Sequence, residues 1–555
     1  MRRSSPRSPR GRAWLLVLFA GLVAWTAVAA GLDNGHLGVF QDDGLYLTSA
    51  RSLRDGQGFG LPSRPGEPPP KYPIGLPAMI ALALRLDPGP TSLAREIAIG
   101  RGLVLAGGWA FFLGAHAWLR RVGVAPEMAC GIVLATACHH VVLVGGAITI
   151  FSDLPFAGVA FLLLTRWAGR GKAPEAGAPG RAFWDGAIAG FGILLRSNGV
   201  TLAIAALVAA AVGPRRRPSL AGCLAGLALA VVPATHYAGR HPWLVPSNSY
   251  LLELKAGWSS ADSGLRVLST NAASMALDFP ARVLASPATY SAPIVRAMAA
   301  YPAAGLAFRG AFSVVVAAGL VSLARSSRRV DLPAWAHAAG SMAIFAVWPW
   351  NGIMDRFLLS LIPMVILAFT RGIEASARRI GLGPGASRRL AAAGLVAVVA
   401  GNAGVVIRAA ALFHGSGGQW PGASHRSSLG LALDLVRDRT EPDAVIAGFW
   451  PEMVFLHAGR TVVPLVEDEA VMLDRYGDIG RLRLWRATVP DRPFYLLLRS
   501  EEEDIHRADL TQAEALAAEP GLTLREVART PDGRYRLIRV ESGPEAGRPS
   551  PGASR

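Results

Sequence analysis

Long apolar runs separated by clusters of arginine constrain this chain more than any other feature. The runs lie near 13–31, 102–119, 126–147, 151–166, 218–237, 303–324, 333–350, 355–370 and 388–412. A helix needs about 20 mainly apolar residues to cross a bilayer. The arginines gather between the runs, at the N-terminus, at Arg120-Arg121, over Arg166 to Arg181, at Arg215-Arg216-Arg217, over Arg325 to Arg329 and over Arg371 to Arg389. By the positive-inside rule all of these segments are cytoplasmic. With 52% hydrophobic and 17% charged residues over 555 positions, an ordinary soluble protein is excluded. The net charge of +17 would suggest nucleic acid in a soluble chain, but here it marks membrane topology.

The charge pattern also dictates a bend. The stretch 184–213 has cytoplasmic markers at both ends and must cross an even number of times, yet about 30 residues are too few for two full spans. Two short helices turning near Arg196-Ser197-Asn198-Gly199 satisfy both facts. Such a turn holds an arginine in or near the outer half of the membrane, where it needs an anionic partner or must snorkel. Counting this hairpin gives about eleven crossings, with the N-terminus inside and the C-terminus outside. Loops 32–101 and 238–302 and the tail from 413 are then extracytoplasmic. Residues 13–30 resemble a signal peptide ending in Ala27-Val28-Ala29, but the run is long enough to span and retaining it keeps the topology consistent. The short, proline-flanked segment Ile74 to Leu86 reads as interfacial or re-entrant.

The expected architecture is a polytopic α-helical membrane protein over 1–412, followed by an extracytoplasmic α/β domain over 413–540 and a disordered tail over 541–555. The amphipathic pattern from Leu429 to Arg439 predicts a helix, and 443–448 and 493–498 predict short buried strands. Cys130, Cys138 and Cys223 lie in apolar stretches at no metal or redox spacing, which leaves them as packing residues.

The first loop carries the chemistry. It reads Phe40-Gln41-Asp42-Asp43-Gly44-Leu45-Tyr46, then Ala50-Arg51 and Gly56-Gln57-Gly58-Phe59. Adjacent carboxylates can divide the work of deprotonating a nucleophile and orienting it or a metal. They can equally cap the helix that Leu45 to Leu53 predicts. The stiff segment Pro68-Pro69-Pro70-Lys71-Tyr72-Pro73 would hold the loop against the membrane.

Taken together, the acidic pair after the first span, the Tyr, the Ala-Arg run, Gly-x-Gly-Phe and Lys-Tyr-Pro-x-x-x-Pro resemble the GT-C glycosyltransferases. The nearest branch includes the aminoarabinose transferase of lipid A, the rhizobial core galacturonosyltransferases and, more distantly, the protein O-mannosyltransferases. Gly190 to Gly199 resembles the family's short hairpin. Asp355-Arg356-Phe357-Leu358-Leu359-Ser360-Leu361-Ile362-Pro363 resembles its Arg-aromatic-Leu-Leu-Pro helix, with Ser360 in place of the usual first proline. Thr440 to Ile446 and His457 to Arg460 resemble the extracytoplasmic domain of many members.

The resemblance implies transfer of a sugar from a polyprenyl-phosphate donor to a cell-envelope acceptor, whether glycolipid, polysaccharide or protein, usually with inversion. Asp42 matches the catalytic base and Asp43 its partner. Arg196, Arg356 and Lys71 are candidates for the donor phosphate, because guanidinium forks suit phosphate oxygens. Asp153, Asp355 and Tyr46 are assigned to the acceptor or to a metal. No obligatory cofactor is implied, and a divalent cation is left open. The expected partners are the donor, the acceptor and the bilayer, with no nucleic acid, and the expected location is the bacterial inner membrane. For Asp153 a helix-cap role after Ser152, and for Arg356 an ion pair or interfacial anchor, are the plain alternatives. His139-His140 reads as packing, since neighbours on a helix face different ways. Trp348-Pro349-Trp350 reads as an interface marker, and the aromatics His241 to Trp258 as the acceptor side. A transporter or flippase of lipid-linked intermediates is the rival. It would place its ionisable residues near the midplane, whereas the acids here map to the outer edge.

Overall fold

A computed structural model describes residues 9–32, 42–63, 72–89, 92–147, 149–168, 179–212, 216–239, 258, 260–285, 296, 298–327, 331–348, 354–415, 424–448, 451–464, 491–499 and 522–542. Lys71, the loop from His241 to Tyr250 and the tail beyond Ser542 lie outside them. The chain forms two compact units, one drawn from 1–33, 71–80 and 98–412, the other from 34–70, 81–97 and 413–555.

The first unit is helical. Six helices among the described residues are long and apolar enough to cross a membrane: Arg12–Gly31, Leu93–Arg121, Arg216–Ala234, Pro302–Ser326, Leu359–Arg379 and Pro384–Ala411. The remaining predicted crossings correspond to shorter apolar helices, among them Pro126–Ala137, Ser197–Ala211 and Leu332–Val347. Leu16, Leu229, Val314 and Ile407 stand more than 60% exposed, the outward apolar surface of helices whose solvent is lipid.

Inward, glycines replace side chains where helices cross. A Cβ at Gly319 would strike the Ala368 carbonyl, and one at Gly372 would strike that of Val315, so Pro302–Ser326 and Ile362–Arg379 meet backbone to backbone. Gly186 and Gly226 bring Pro179–Leu195 equally close to Arg216–Gly239. Such close approach is how membrane helices gain dispersion energy when lipid is as apolar as their own side chains.

Two predicted runs are interrupted. The run 126–147 is not one helix. Pro126–Ala137 stops at Cys138, and the chain restarts at His140–Val142 with a wide turn over Leu143–Ala147. The His139 ring accepts the Val141 N–H, while Asn402, 267 positions away, donates to the Ala135 carbonyl at 3.1 Å, satisfying backbone groups that the break exposes. The run 355–370 likewise begins as two short turns, Met354–Phe357 and Leu359–Leu361, before the helix proper starts at Ile362 with Pro363 in its first turn. The predicted bend between Pro179–Leu195 and Val200–Ala211 falls at Ser197–Gly199. There Gly199 lies so close to the Gly192 carbonyl that no Cβ would fit.

The second unit holds a five-stranded sheet of β1 (Val445–Gly448), β2 (Thr461–Pro464), β3 (Phe494–Arg499), β4 (Leu522–Arg529) and β5 (Tyr535–Ser542) in the order β2-β1-β3-β5-β4. β1 runs parallel to β2 and β3, and β5 antiparallel to β3 and β4. The predicted helix forms over Ser424–Arg439 and buries Leu429, Leu433 and Val436 against Ile446, Tyr495 and Leu537. Arg460 donates to the carbonyls of Arg437 and Thr440, both at 2.9 Å, closing that helix's end.

The same unit contains the first loop. Its helix, Asp42–Arg54, packs on Pro451–Ala458, and the carbonyl of Ser63 accepts the Val462 N–H at the β2 edge. The Ala-Arg run braces this loop, since Arg51 and Arg54 clasp the buried Glu96 at 2.6 and 2.7 Å. Arg85 donates to the carbonyls of Leu53 and Arg54, and Gly56 and Gly58 turn the chain away at φ of 76° and 91°.

Candidate functional site

Three predicted site residues meet in the helical unit. Asp153 begins the helix Asp153–Ala168, Arg196 sits at the bend of the paired short helices, and Arg356 lies in the broken segment before Ile362. Asp153 Oδ1 is 2.5 Å from Arg196 Nη1, and Arg356 Nε donates to Asp153 Oδ2 at 3.0 Å. The Asp153 side chain is 1% exposed, that of Arg196 8% and that of Arg356 18%. Two guanidiniums thus share one buried carboxylate.

Aromatic faces hold the cations in place. The Arg196 guanidinium lies 4.5 Å from the Phe357 ring centre and that of Arg356 3.6 Å from that of Phe151. Arg196 Nε is buried with no acceptor among the described residues. A buried cation with an undirected N–H, beside a second cation, is suited to receive an anion. Because both Asp153 oxygens already face arginines, this carboxylate acts as the counter-ion that spaces them.

A second polar cluster, not singled out from the sequence, lies beside this group. His337, fully buried on Leu332–Val347, contacts Thr201 Oγ1 through Nδ1 at 2.9 Å and Ser360 Oγ through Nε2 at 3.2 Å. Thr201 donates to the Asn198 carbonyl at 2.9 Å, and Asn198 Nδ2 donates to that of Phe357 at 3.3 Å. The available signal was three polar residues within apolar runs, each costly in lipid unless paired.

The acidic pair occupies the first turn of Asp42–Arg54 in the other unit. Asp43 is 2% exposed and its Oδ1 accepts the Gly44 N–H at 2.9 Å, while Asp42 is half-buried. Tyr46, also buried, follows Asp42 by one helical turn on the same face. Asp355 lies in the short turn with Arg356, its side chain outside the described set, as is Lys71. His139 and His140 have ring centres 4.9 Å apart, and no group of three metal-ligating side chains occurs among the described residues. Trp258 donates to the Val347 carbonyl at 2.9 Å, and Asn271 to those of Phe345 and Ala346 at 3.1 and 3.2 Å, so both close the end of the His337 helix.

No family profile matches the chain, and no curated protein sequence does. Its structure is similar to that of ArnT from Cupriavidus metallidurans bound to undecaprenyl phosphate, with a TM-score of 0.56 and 16% identity, covering 95% of this chain and 98% of that one. It is also similar to the archaeal oligosaccharyltransferase AglB from Archaeoglobus fulgidus in complex with an inhibitory peptide and a dolichol-phosphate. That match has a TM-score of 0.52 and 13% identity, covering 94% of this chain and 74% of the other. The chain shares the fold of these two proteins, which is the fold that the sequence resemblance implied.

Proposed function

We propose that the chain is a glycosyltransferase that takes a sugar from a polyprenyl-phosphate donor and passes it to a cell-envelope acceptor on the extracytoplasmic side of the bacterial inner membrane. The observation that carries this reading is the shared carboxylate: Arg196 and Arg356, from two different segments, converge on the buried Asp153, which brings two guanidinium forks together at one place. Similarity to structures that hold undecaprenyl phosphate and dolichol-phosphate supports the same ligand chemistry.

In this mechanism Asp42 takes the proton from an acceptor hydroxyl, and Asp43 holds the neighbouring geometry through its bond to Gly44. The freed oxygen attacks the anomeric carbon from the face opposite the phosphate. The carbon–oxygen bond to phosphate breaks, its electron pair stays on the phosphate oxygen, and the configuration inverts. Arg196 and Arg356 stabilise the charge that collects on the departing polyprenyl phosphate. Tyr46, one turn from Asp42, is assigned to the acceptor or a divalent cation, and Lys71 to the donor phosphate.

The test uses protein in lipid nanodiscs, polyprenyl-phosphate sugars and envelope acceptors, comparing wild type with Asp42→Asn and Asp43→Asn. Loss of one general base costs about 10²–10⁴-fold in rate. Wild-type turnover in both variants removes the assigned base. Labelling of cysteines placed near residue 215 from outside the cell would overturn the orientation.

A further inference from the structure

We infer that His337 is a positioning residue: a neutral imidazole that closes a hydrogen-bond circuit and thereby sets the spacing between Arg196 and Arg356. The inference rests on the phosphate role proposed for those two arginines.

Proton counting fixes the direction of the circuit. The Thr201 hydroxyl has one hydrogen, which goes to the Asn198 carbonyl, so at its contact with His337 the oxygen can only accept. His337 therefore carries its hydrogen on Nδ1. Nε2 is then a lone pair, and the Ser360 hydroxyl donates to it. Asn198 Nδ2, donating to the Phe357 carbonyl, closes the loop through the backbone from 357 to 360. Thr201, His337 and Ser360 are each no more than 2% exposed, so water cannot take over a broken link. No acid is among the described partners of the imidazole, and Phe156 lies 6.3 Å from it. This environment favours the uncharged ring.

The circuit joins the two segments that carry the cations through the helix that carries His337. Asn198 and Thr201 belong to the bend that starts at Arg196, while Phe357 and Ser360 belong to the broken segment of Arg356. Asp153 pulls the guanidinium tips together, and the Phe357 ring supports Arg196. Without His337 the tips would still be attracted, but the backbones bearing them would lose their fixed separation. A two-cation site for one phosphate depends on that separation, because each fork must meet an oxygen at hydrogen-bond distance. Serine at 360 supplies the donor that proline, usual at this place in the resembled motif, lacks.

The experiment measures binding of undecaprenyl phosphate to the intact protein in nanodiscs, with undecaprenol as the uncharged control. Ser360→Ala, Thr201→Val and His337→Ala should each shift the midpoint for the phosphate by about tenfold, the equivalent of one misplaced charge-assisted bond. Binding of undecaprenol should not move. His337→Ala combined with Ser360→Ala should be no worse than His337→Ala alone, since the circuit is already open. A purely structural role would lower the amount bound at saturation and leave the midpoint in place, and that result overturns the inference. So does an additive double variant. Ser360→Ala removes a single hydroxyl and keeps the test available if His337→Ala does not fold. Arg356→Ala separates the two readings. If it shifts the midpoint while the circuit variants do not, only the positioning role falls. If it does not shift the midpoint, the phosphate site falls and the positioning role with it.

Discussion

Replacing the arginines around Asp153 should reverse the sign of a substitution at Asp153 itself. In the wild-type protein Asp153→Asn strips the shared counter-ion from the buried guanidinium of Arg196 and the partly buried one of Arg356, at a cost of about 3–5 kcal/mol in stability. Arg196→Ala or Arg356→Ala alone is milder, because the carboxylate keeps one partner and loses about 1.5–3 kcal/mol of charged hydrogen bonding. Removing both arginines leaves a carboxylate only 1% exposed without compensation. The second removal should therefore cost about 3–5 kcal/mol. In that double background the negative charge is itself the liability, and Asp153→Asn should raise stability and recover most of the second loss. The assay is apparent melting temperature in nanodiscs at one heating rate, compared across all five variants and the wild type, since heating a membrane protein is seldom reversible. If Asp153→Asn destabilises in both backgrounds, the arginines are not what holds this acid and the charge argument is refuted.

Two further outcomes probe the other unit. Glu96→Gln should release Arg51 and Arg54 and loosen the turn at Gly56 and Gly58, which limited proteolysis would register as faster cleavage near residue 56; an unchanged rate would mean the clasp is idle. Tyr495 is held neutral by burial and by donating to Glu441 at 2.8 Å, and its phenol is pushed up from 10.0 to about 12. A group whose folded value is raised contributes stability that is complete below its unfolded value and fades as pH climbs through the folded one. The wild-type advantage over Tyr495→Phe should accordingly be full below pH 10.0 and disappear towards about 12; an advantage independent of pH across that window would contradict the assigned bond.

How much of this was legible in the sequence follows from how local each cause is. Charge parity around 184–213 required the bend and put Arg196 in it, because both constraints are counted along the chain. The strands near 445 and 494 and the helix before them announced themselves by short-range apolar pattern. Asp153 was visible as an acid at a helix start, but its partners stand 43 and 203 positions away, so its choice between cap, metal ligand and counter-ion was not. His337 was passed over for the same reason. One histidine in an apolar run signals that a partner is needed but not which one, and only the fold brings Thr201 and Ser360 to its two nitrogens. The break at Cys138 depends in part on Asn402, a distant residue that accommodates a discontinuity the apolar run itself conceals.

The seam at Gly319 and Gly372 is a place where no lipid chain can pass between the two helices. Two helices whose backbones touch at both glycines leave no width for an isoprenoid chain. They also behave as a single strut, since sliding one past the other would drive carbonyls into Cα atoms. The arginine segment ending at Leu361 is tied to one end of that strut. Under the proposed function, the donor's tail would approach Arg196 and Arg356 away from this seam, along faces lined by side chains, which can rotate aside.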